Sequence, residues 1–319
     1  MNIKTLTLFY ELARDLNMTK TAKRLFISQQ TLSNNILRLE EYYGVKLFHR
    51  HHGLELTDAG LYLKDFAQKA IGREKELFDA LLDFKTEERG FIRFGASPNR
   101  SSYFVPEILP NYSKDFPNVE FSLTYGNTDQ LLLLLRNRQI DAAICALKEI
   151  PANIKAELLV EDQLYLCVPE NLLDKHYSSM KKELKEKSLH GANLADFKEL
   201  SYFMMSNANR LSDTISKCFE EAGYLPKVYF SAKYATLSTF LCEKGLAAAF
   251  MTKDHIMLND MENKEGINLF PVNFRGEPVY HYLYLIHLKN QFVPKYKSVF
   301  YNYIINYYHS RNITCSNHQ

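Results

Sequence analysis

The 319-residue sequence predicts a mainly helical N-terminal domain that ends in a short two-stranded wing, then a long connecting helix, then a bilobed α/β body. Up to residue 60, apolar residues recur with helical spacing between tight breaks, whereas after Gly90 short apolar strands alternate with helical stretches. The length also exceeds one typical domain of about 150 residues. We therefore place the boundaries at 1–58, 59–89 and 90–319, with one lobe at about 90–165 and 273–319 and the other at about 166–272.

The N-terminal domain should contain three short helices. The first should bury one apolar face and end near Asp15 to Met18; that face carries Ile3, Leu6, Phe9, Tyr10 and Ala13. Thr19 is expected to cap a second helix that reaches Phe26. Ser28 should cap the third, which Gly44 should end.

The wing and the connecting helix follow. The segment VKLFHRHHGLELT after Gly44 reads as two short extended pieces around a turn, and a long helix without proline is expected from Thr57 to about Lys85. Apolar residues recur every seven positions along this helix, at Leu63, Ala70, Leu77 and Phe84. Such a seam is suited to pairing with another helix, and packing of the helix on its own domain is the alternative.

The third helix has a polar front and an apolar flank. Its front, SQQTLSNN, offers amides that can pair with the donor and acceptor of adenine, while Leu32, Ile36 and Leu39 lie on the other side. Between Leu16 and Leu39 the chain carries four bases and no acid, which indicates either a phosphate-facing surface or a solvated helix face. This arrangement predicts a helix-turn-helix that reads the DNA major groove. The candidate DNA contacts are Thr19, Lys20, Lys23, Ser28, Gln29, Gln30, Thr31, Ser33, Asn34, Arg38 and, at the wing, Arg50.

The α/β body is predicted to hold a ligand between its lobes. The strands FIRFGA, VEFSLTY and IDAAICA form one set, and LSYFMMS, VYFSA and LAAAFM form a second, each with crossover helices that imply parallel strands. Ligands collect where such strands end and helices begin. The candidate effector contacts at these ends are Ser97, Asn99, Arg100, Ser101, Ser102, Asn127, Thr128, Cys145, Ser206 and Asn207. Arg100 favours an anionic ligand, with an ordinary surface arginine as the alternative. Helix capping is the alternative for each Ser or Asn, and packing is the alternative for Cys145.

The stretch AKRLFISQQTLSNNILRLEEYYGVKLFHR, followed by LELTDAG, closely resembles the winged helix-turn-helix of LysR-type transcriptional regulators, and the resemblance continues through about residue 305. It implies a cytoplasmic bacterial DNA-binding protein whose bilobed, periplasmic-binding-protein-like domain binds a small effector. The implied partners are double-stranded promoter DNA, that effector, further copies in a homodimer or homotetramer, and RNA polymerase. No cofactor and no membrane are implied. Gln30 and Asn34 stand where the family often has proline and arginine, which leaves the operator sequence open.

Other classes of protein are disfavoured by the sequence. It contains no P-loop, GxGxxG, GxSxG or HExxH motif, so we expect no enzyme. A solute-binding protein is opposed by the N-terminal domain and by the lack of a signal-like segment, and no apolar run approaches a membrane span. Five cysteines without a CxxC are typical of reduced thiols, and a Cys218 to Cys242 disulfide switch is the alternative. A metal site at His49, His51 and His52 lacks supporting ligands.

Overall fold

The computed structural model describes residues 2–49, 53–83, 89–206 and 210–316. The N-terminal domain contains α1 (Ile3–Asp15), α2 (Met18–Arg24), α3 (Gln29–Tyr43), β1 (Phe48–His49) and β2 (Glu55–Leu56), and the connecting helix is α4 (Asp58–Asp83). β1 and β2 pair antiparallel, which confirms the predicted wing. Apolar side chains from α1, α2, α3, β1 and α4 form one core under these elements.

Two helix ends confirm the sequence prediction and one corrects it. Ser28 accepts the backbone N–H of Thr31 at the start of α3, and Gly44 ends that helix in the left-handed region with φ of 69°. The prediction that Thr19 caps α2 is wrong. Asn17 is the capping residue, because its Oδ1 accepts the N–H of Lys20 at 2.8 Å and places Thr19 inside the helix.

The two halves of α4 differ in their packing. Leu63 and Ala67 are buried in the core of the N-terminal domain, whereas Leu77 is 59% exposed. Phe78 and Leu81 are also exposed beside Leu77. The first half therefore packs on its own domain and the second half leaves an apolar face uncovered; Phe84, the last position of the predicted seam, lies outside the described residues.

The body continues with eleven further strands and eight α-helices in the described part of the chain. In chain order they are β3 (Arg89–Ala96), α5 (Pro98–Asp115), β4 (Asn118–Tyr125), α6 (Thr128–Arg136), β5 (Ala142–Ala146), β6 (Ile154–Pro169), α7 (Glu170–Tyr177), α8 (Lys181–Ser188), β7 (Ser201–Met205), α9 (Arg210–Ala222), β8 (Lys227–Ala232), α10 (Ser238–Glu243), β9 (Ala249–Thr252), α11 (Lys253–Leu258), β10 (Ile267–Pro271), β11 (Asn273–Phe274), β12 (Glu277–Pro278), β13 (Tyr280–Leu288) and α12 (Lys295–Ser316).

The predicted bilobed arrangement is present, and the long strand β6 runs through both lobes. In the first lobe β3 pairs parallel with β4 and β5, and β13 pairs antiparallel with β5 and with the first part of β6. In the second lobe the last part of β6 pairs antiparallel with β9 and β10, while β7 and β8 pair parallel. Each lobe has its own apolar cores, so the stretch of β6 near residues 160–165 lies between them.

Along the described part of the chain, no helix has the length and apolar character needed to cross a lipid bilayer.

Candidate functional site

Helix α3 presents polar side chains on one side and anchors the other. Leu32 and Ile36 are completely buried, whereas Gln29, Gln30 and Asn34 are exposed. The apolar side chains follow one another at four-residue spacing, so they share the face that packs on the domain core. The amides are consequently directed away from the core, in the position that a base-reading helix requires.

Most of the predicted DNA contacts lie on this exposed surface of α2 and α3. The exposed members are Thr19, Lys20, Lys23, Ser28, Gln29, Gln30, Thr31, Asn34 and Arg38, and Ser33 is half-buried. Arg50 lies outside the described residues. The Thr19 hydroxyl donates to Gln29 Oε1 at 3.2 Å, so one amide is positioned by the preceding helix. Whether these residues contact DNA stays a prediction.

The fourth base of this segment has a structural role. Arg24 Nη2 lies 2.6 Å from Glu11 Oε2 and 2.6 Å from Asp15 Oδ2, and both carboxylates belong to α1. Hydrogen bonding to Asp15 raises the pKa of Arg24, and hydrogen bonding to Arg24 lowers the pKa of Asp15. Arg24 therefore fixes α2 against α1, and Lys20, Lys23 and Arg38 are the other exposed cations of the segment.

Glu40 joins α3 to the wing, a role that the sequence analysis did not identify. Its carboxylate is buried, and Oε1 accepts the backbone N–H groups of Leu47 at 2.9 Å and Phe48 at 3.4 Å. Lys46 Nζ lies 3.3 Å from Oε2. The available signal was an acid next to the apolar Leu39, on the side of α3 that was expected to face the core.

Phe26 was also missed as a surface residue. It lies in the turn between α2 and α3, has a φ of 55° and is 96% exposed. A positive φ is uncommon for a bulky residue, and strain of this kind is often found at functional positions. The ring is therefore exposed in the turn that leads into the polar front of α3.

A cavity of about 550 Å³ lies between the lobes. Of the predicted effector contacts, Ser97, Asn99, Arg100, Asn127 and Thr128 line it. Ser97 and Asn127 also cap α5 and α6, so both interpretations of these two residues apply together. The volume falls within the range of small-molecule sites, roughly 300–1,000 Å³.

Four other predicted contacts do not line the cavity, and a fifth lies outside the described residues. The Ser101 and Ser102 hydroxyls donate to the carbonyl oxygens of Pro98 and Asn99 in the first turn of α5. Cys145 is packed in an apolar cluster, where burial raises the pKa of its thiol to about 12. Ser206 is exposed beyond β7, and Asn207 is the residue that is not described.

The opposite wall is built by α11 and α10 in the second lobe. Asn99 Nδ2 lies 2.9 Å from His255 Nδ1, and His255 Nε2 lies 2.8 Å from the Thr239 hydroxyl. Burial, with a smaller effect of Arg100, lowers the pKa of His255 to about 4, so the ring is neutral near pH 7. His255 lies in the first turn of α11, directly after β9. The expectation that ligands collect where strands end and helices begin therefore also applies to the end of LAAAFM, and would have identified His255 there.

Arg100 is the centre of a buried polar cluster beside the cavity. Its Nη2 lies 3.4 Å from His281 Nδ1 and its Nη1 lies 3.9 Å from Asp162 Oδ2. Because an arginine only donates, His281 Nδ1 accepts and the ring proton is on Nε2. Burial lowers the pKa of His281 to about 3 and raises that of Asp162 to about 6. Asp162 and His281 are directly opposite each other on β6 and β13, a pairing of distant segments.

The charges around the cavity favour an anion. The cationic lining residues are Arg100, Arg210 and Lys233, whereas Asp254 is the lining carboxylate and its pKa is raised by burial. Arg210 of the second lobe also contacts Asp129 of the first at 3.1 Å, so an ion pair connects the lobes at one side of the cavity. The remainder of the lining includes apolar side chains from both lobes.

Metal and disulfide alternatives find no support in the part of the chain that the structure describes. No group of three potential ligands is assembled there, and His51 and His52 are not described. Cys218 and Cys242 are both buried free thiols, and they lie in different apolar clusters.

Comparison with known proteins identifies the family. The LysR substrate binding domain model matches residues 85–307, and the model for the bacterial regulatory helix-turn-helix protein, lysR family, matches residues 3–61. The chain belongs to the family of LysR-type transcriptional regulators.

Among curated relatives, a "Probable RuBisCO transcriptional regulator" of Phaeodactylum tricornutum is 28% identical over 196 residues, which cover 60% of this chain and 62% of the relative. This chain therefore matches less than two thirds of the length of that relative. The "Uncharacterized HTH-type transcriptional regulator YybE" of Bacillus subtilis is 24% identical over 314 residues, or 97% of this chain and 99% of the relative.

Solved structures share the fold at low sequence identity. Full-length OxyR from Pseudomonas aeruginosa has a TM-score of 0.65 at 18% identity and covers 96% of this chain and 94% of its own. Full-length CbnR complexed with its target DNA has a TM-score of 0.60 at 20% identity and covers 95% of this chain and 99% of its own.

Proposed function

We propose that this protein binds promoter DNA through α3 and regulates transcription in response to a small molecule held between the lobes. The observation that carries the proposal is the orientation of α3, with buried Leu32 and Ile36 on one side and exposed Gln29 and Asn34 on the other. The fold shared with a DNA-bound structure supports the same placement. We take Gln29, Gln30 and Asn34 as base-reading residues and Lys20, Lys23 and Arg38 as phosphate contacts.

The protein would act as a symmetric oligomer. The exposed apolar side chains of Leu77, Phe78 and Leu81 on α4 offer a surface for a second copy. A twofold dimer places two copies of α3 on half-sites about one helical turn apart, or a multiple of it, so the operator should be partly palindromic.

A comparison of two variants tests the division into base and phosphate contacts. Gln29→Ala should reduce discrimination between the operator and a base-substituted operator by about 1–3 kcal/mol. Lys23→Ala should weaken binding to all sequences about equally and reduce the slope of log affinity against log salt by about 1. Fluorescence anisotropy with labelled duplexes at several salt concentrations measures both effects. Identical behaviour of the two variants would contradict the assignment.

A further inference from the structure

Asp162 lies on β6 where this strand runs from one lobe to the other, and its side chain contacts both lobes. Its Oδ1 accepts the backbone N–H of Asp254 at 2.8 Å, and Asp254 is in α11 of the second lobe. Its Oδ2 faces Arg100 Nη1, in α5 of the first lobe, at 3.9 Å. The side chain is 0% exposed. Within the described residues Oδ2 has no hydrogen-bond partner, so this carboxylate is incompletely satisfied.

Arg100 is shared between Asp162 and the cavity. It lines the cavity directly, whereas Asp162 lies behind it and is not part of the lining. His281, which also lines the cavity, accepts from Arg100 and has a buried Nε2 for which no partner is found among the described side chains. An anion in the cavity would therefore meet a cation that is already engaged by a buried carboxylate.

Resting on the proposed effector role of this cavity, we propose that it binds a small carboxylate at Arg100 and that binding is coupled to the uptake of one proton from solvent by Asp162. The two negative groups compete for one guanidinium, and because Asp162 is fully buried a nearby like charge disfavours its ionised form. Protonation of Asp162 removes the competition and leaves Arg100 to the ligand. The effector would then also change the contact between the two lobes through Asp162.

Two of the titratable groups around Asp162, His281 and Tyr308, do not replace it in this role. It is surrounded by Arg100 on α5, Asp254 on α11, His281 on β13 and Tyr308 on α12, and the nearby Thr252 side chain lowers its pKa. Burial is the largest cause of its raised pKa of about 6, with Arg100 opposing and Asp254 adding to it. His281 and Tyr308 do not titrate between pH 5 and 8, because burial lowers the pKa of one to about 3 and raises that of the other well above its usual value.

Asp254 is the residue that could imitate the effect, and it provides the matched control. Its carboxylate lines the cavity and its pKa is also raised by burial. Its side chain, however, forms no ion pair with Arg100 among the described contacts, whereas that of Asp162 does. Coupling through Arg100 should therefore be lost in Asp162→Asn and retained in Asp254→Asn.

The test is calorimetric titration of the full-length protein with phenylacetate and butyrate at pH 5.5 and 8.0 and constant ionic strength, with phenylacetamide as the uncharged control. Both carboxylates stay ionised at these pH values. Each unit by which the anion raises the pKa of Asp162 makes binding about tenfold tighter at the lower pH. We expect wild type and Asp254→Asn to bind at least about threefold tighter at pH 5.5 than at pH 8.0. Asp162→Asn should lose most of this pH dependence and should bind tighter than wild type at pH 8.0.

Equal pH dependence in wild type and Asp162→Asn overturns the proposal, as does the absence of saturable binding of both carboxylates to both proteins. Preferential binding of phenylacetamide would overturn the assignment of a carboxylate ligand.

DNA binding of the same preparations is measured in parallel by fluorescence anisotropy. Intact DNA binding without proton-linked anion binding rejects this inference alone, whereas loss of DNA binding by the wild type rejects the proposed regulatory function.

Discussion

Asp162 should make the stability of the folded protein depend on pH in a specific window. Its pKa is about 6 in the folded state, mainly because of burial, and about 3.9 in an unfolded chain. The folded state therefore binds more protons than the unfolded state between about pH 4 and pH 6. Stability contributed by this group is highest below pH 4, decreases as the pH rises to 6, and is constant above it.

The magnitude follows from the difference between the two pKa values. About two pKa units correspond to about 3 kcal/mol, because one unit is 1.36 kcal/mol. Asp162→Asn cannot ionise, so the difference in unfolding free energy between this variant and wild type should change by about 2 kcal/mol between pH 4 and pH 7, because an unfolded aspartate is already about half ionised at pH 4. The sign of the change favours the variant at the higher pH.

Urea unfolding followed by circular dichroism at pH 4.5, 5.5, 6.5 and 7.5 measures this difference. Asp213→Asn, which removes an exposed carboxylate from α9, is the control and should follow wild type at every pH. Parallel pH profiles for wild type and Asp162→Asn would refute the argument, because they would place the titration of Asp162 at its ordinary value or attribute the profile to other groups.

The other predictions concern the N-terminal domain and α4. Glu40→Ala should lower the unfolding free energy by about 1–3 kcal/mol, because the N–H groups of Leu47 and Phe48 lose a buried acceptor. Urea unfolding measures this loss, and an unchanged midpoint would contradict the anchoring role. Asn17→Ala should cost about 1 kcal/mol through loss of the α2 cap, measured in the same way, with Thr19→Ala as the smaller change. Leu77→Glu should reduce the oligomeric state in light scattering, whereas Lys75→Glu on the same helix should not; equal behaviour would assign the contact to another surface.

Helix α3 was predictable because its determinants are local. Ser28 at the start, Gly44 at the end and the four-residue spacing from Leu32 to Ile36 lie within one segment and decide which face is buried. Local rules were less decisive at α2, because Asn17 and Thr19 are both good capping residues. Only the structure shows that the Asn17 side chain accepts the backbone N–H of Lys20.

The cavity was predictable on one wall only. Ser97, Asn99, Arg100, Asn127 and Thr128 directly follow strands of the first lobe, so the strand-end rule located them. Asp162 and His281 are brought together by antiparallel pairing of β6 with β13, strands more than a hundred residues apart in the chain. No local periodicity in the sequence predicts such a pairing. The sequence also does not distinguish a hydroxyl that lines the cavity from one that, like that of Ser102, donates to a carbonyl oxygen of its own helix.

The seam predicted on α4 illustrates the same limit. A repeat of seven residues specifies a face but not the surface that covers it. Leu63 is covered by the N-terminal domain, whereas Leu77 is exposed in the single chain.

Footprinting of the full-length protein on genomic DNA fragments selected for binding tests the central claim most directly. We expect two protected major-groove half-sites related by a twofold axis, about one helical turn apart or a multiple of it, and loss of base preference in Gln29→Ala. A single asymmetric patch of protection, or no retention of any duplex at low salt, would contradict it.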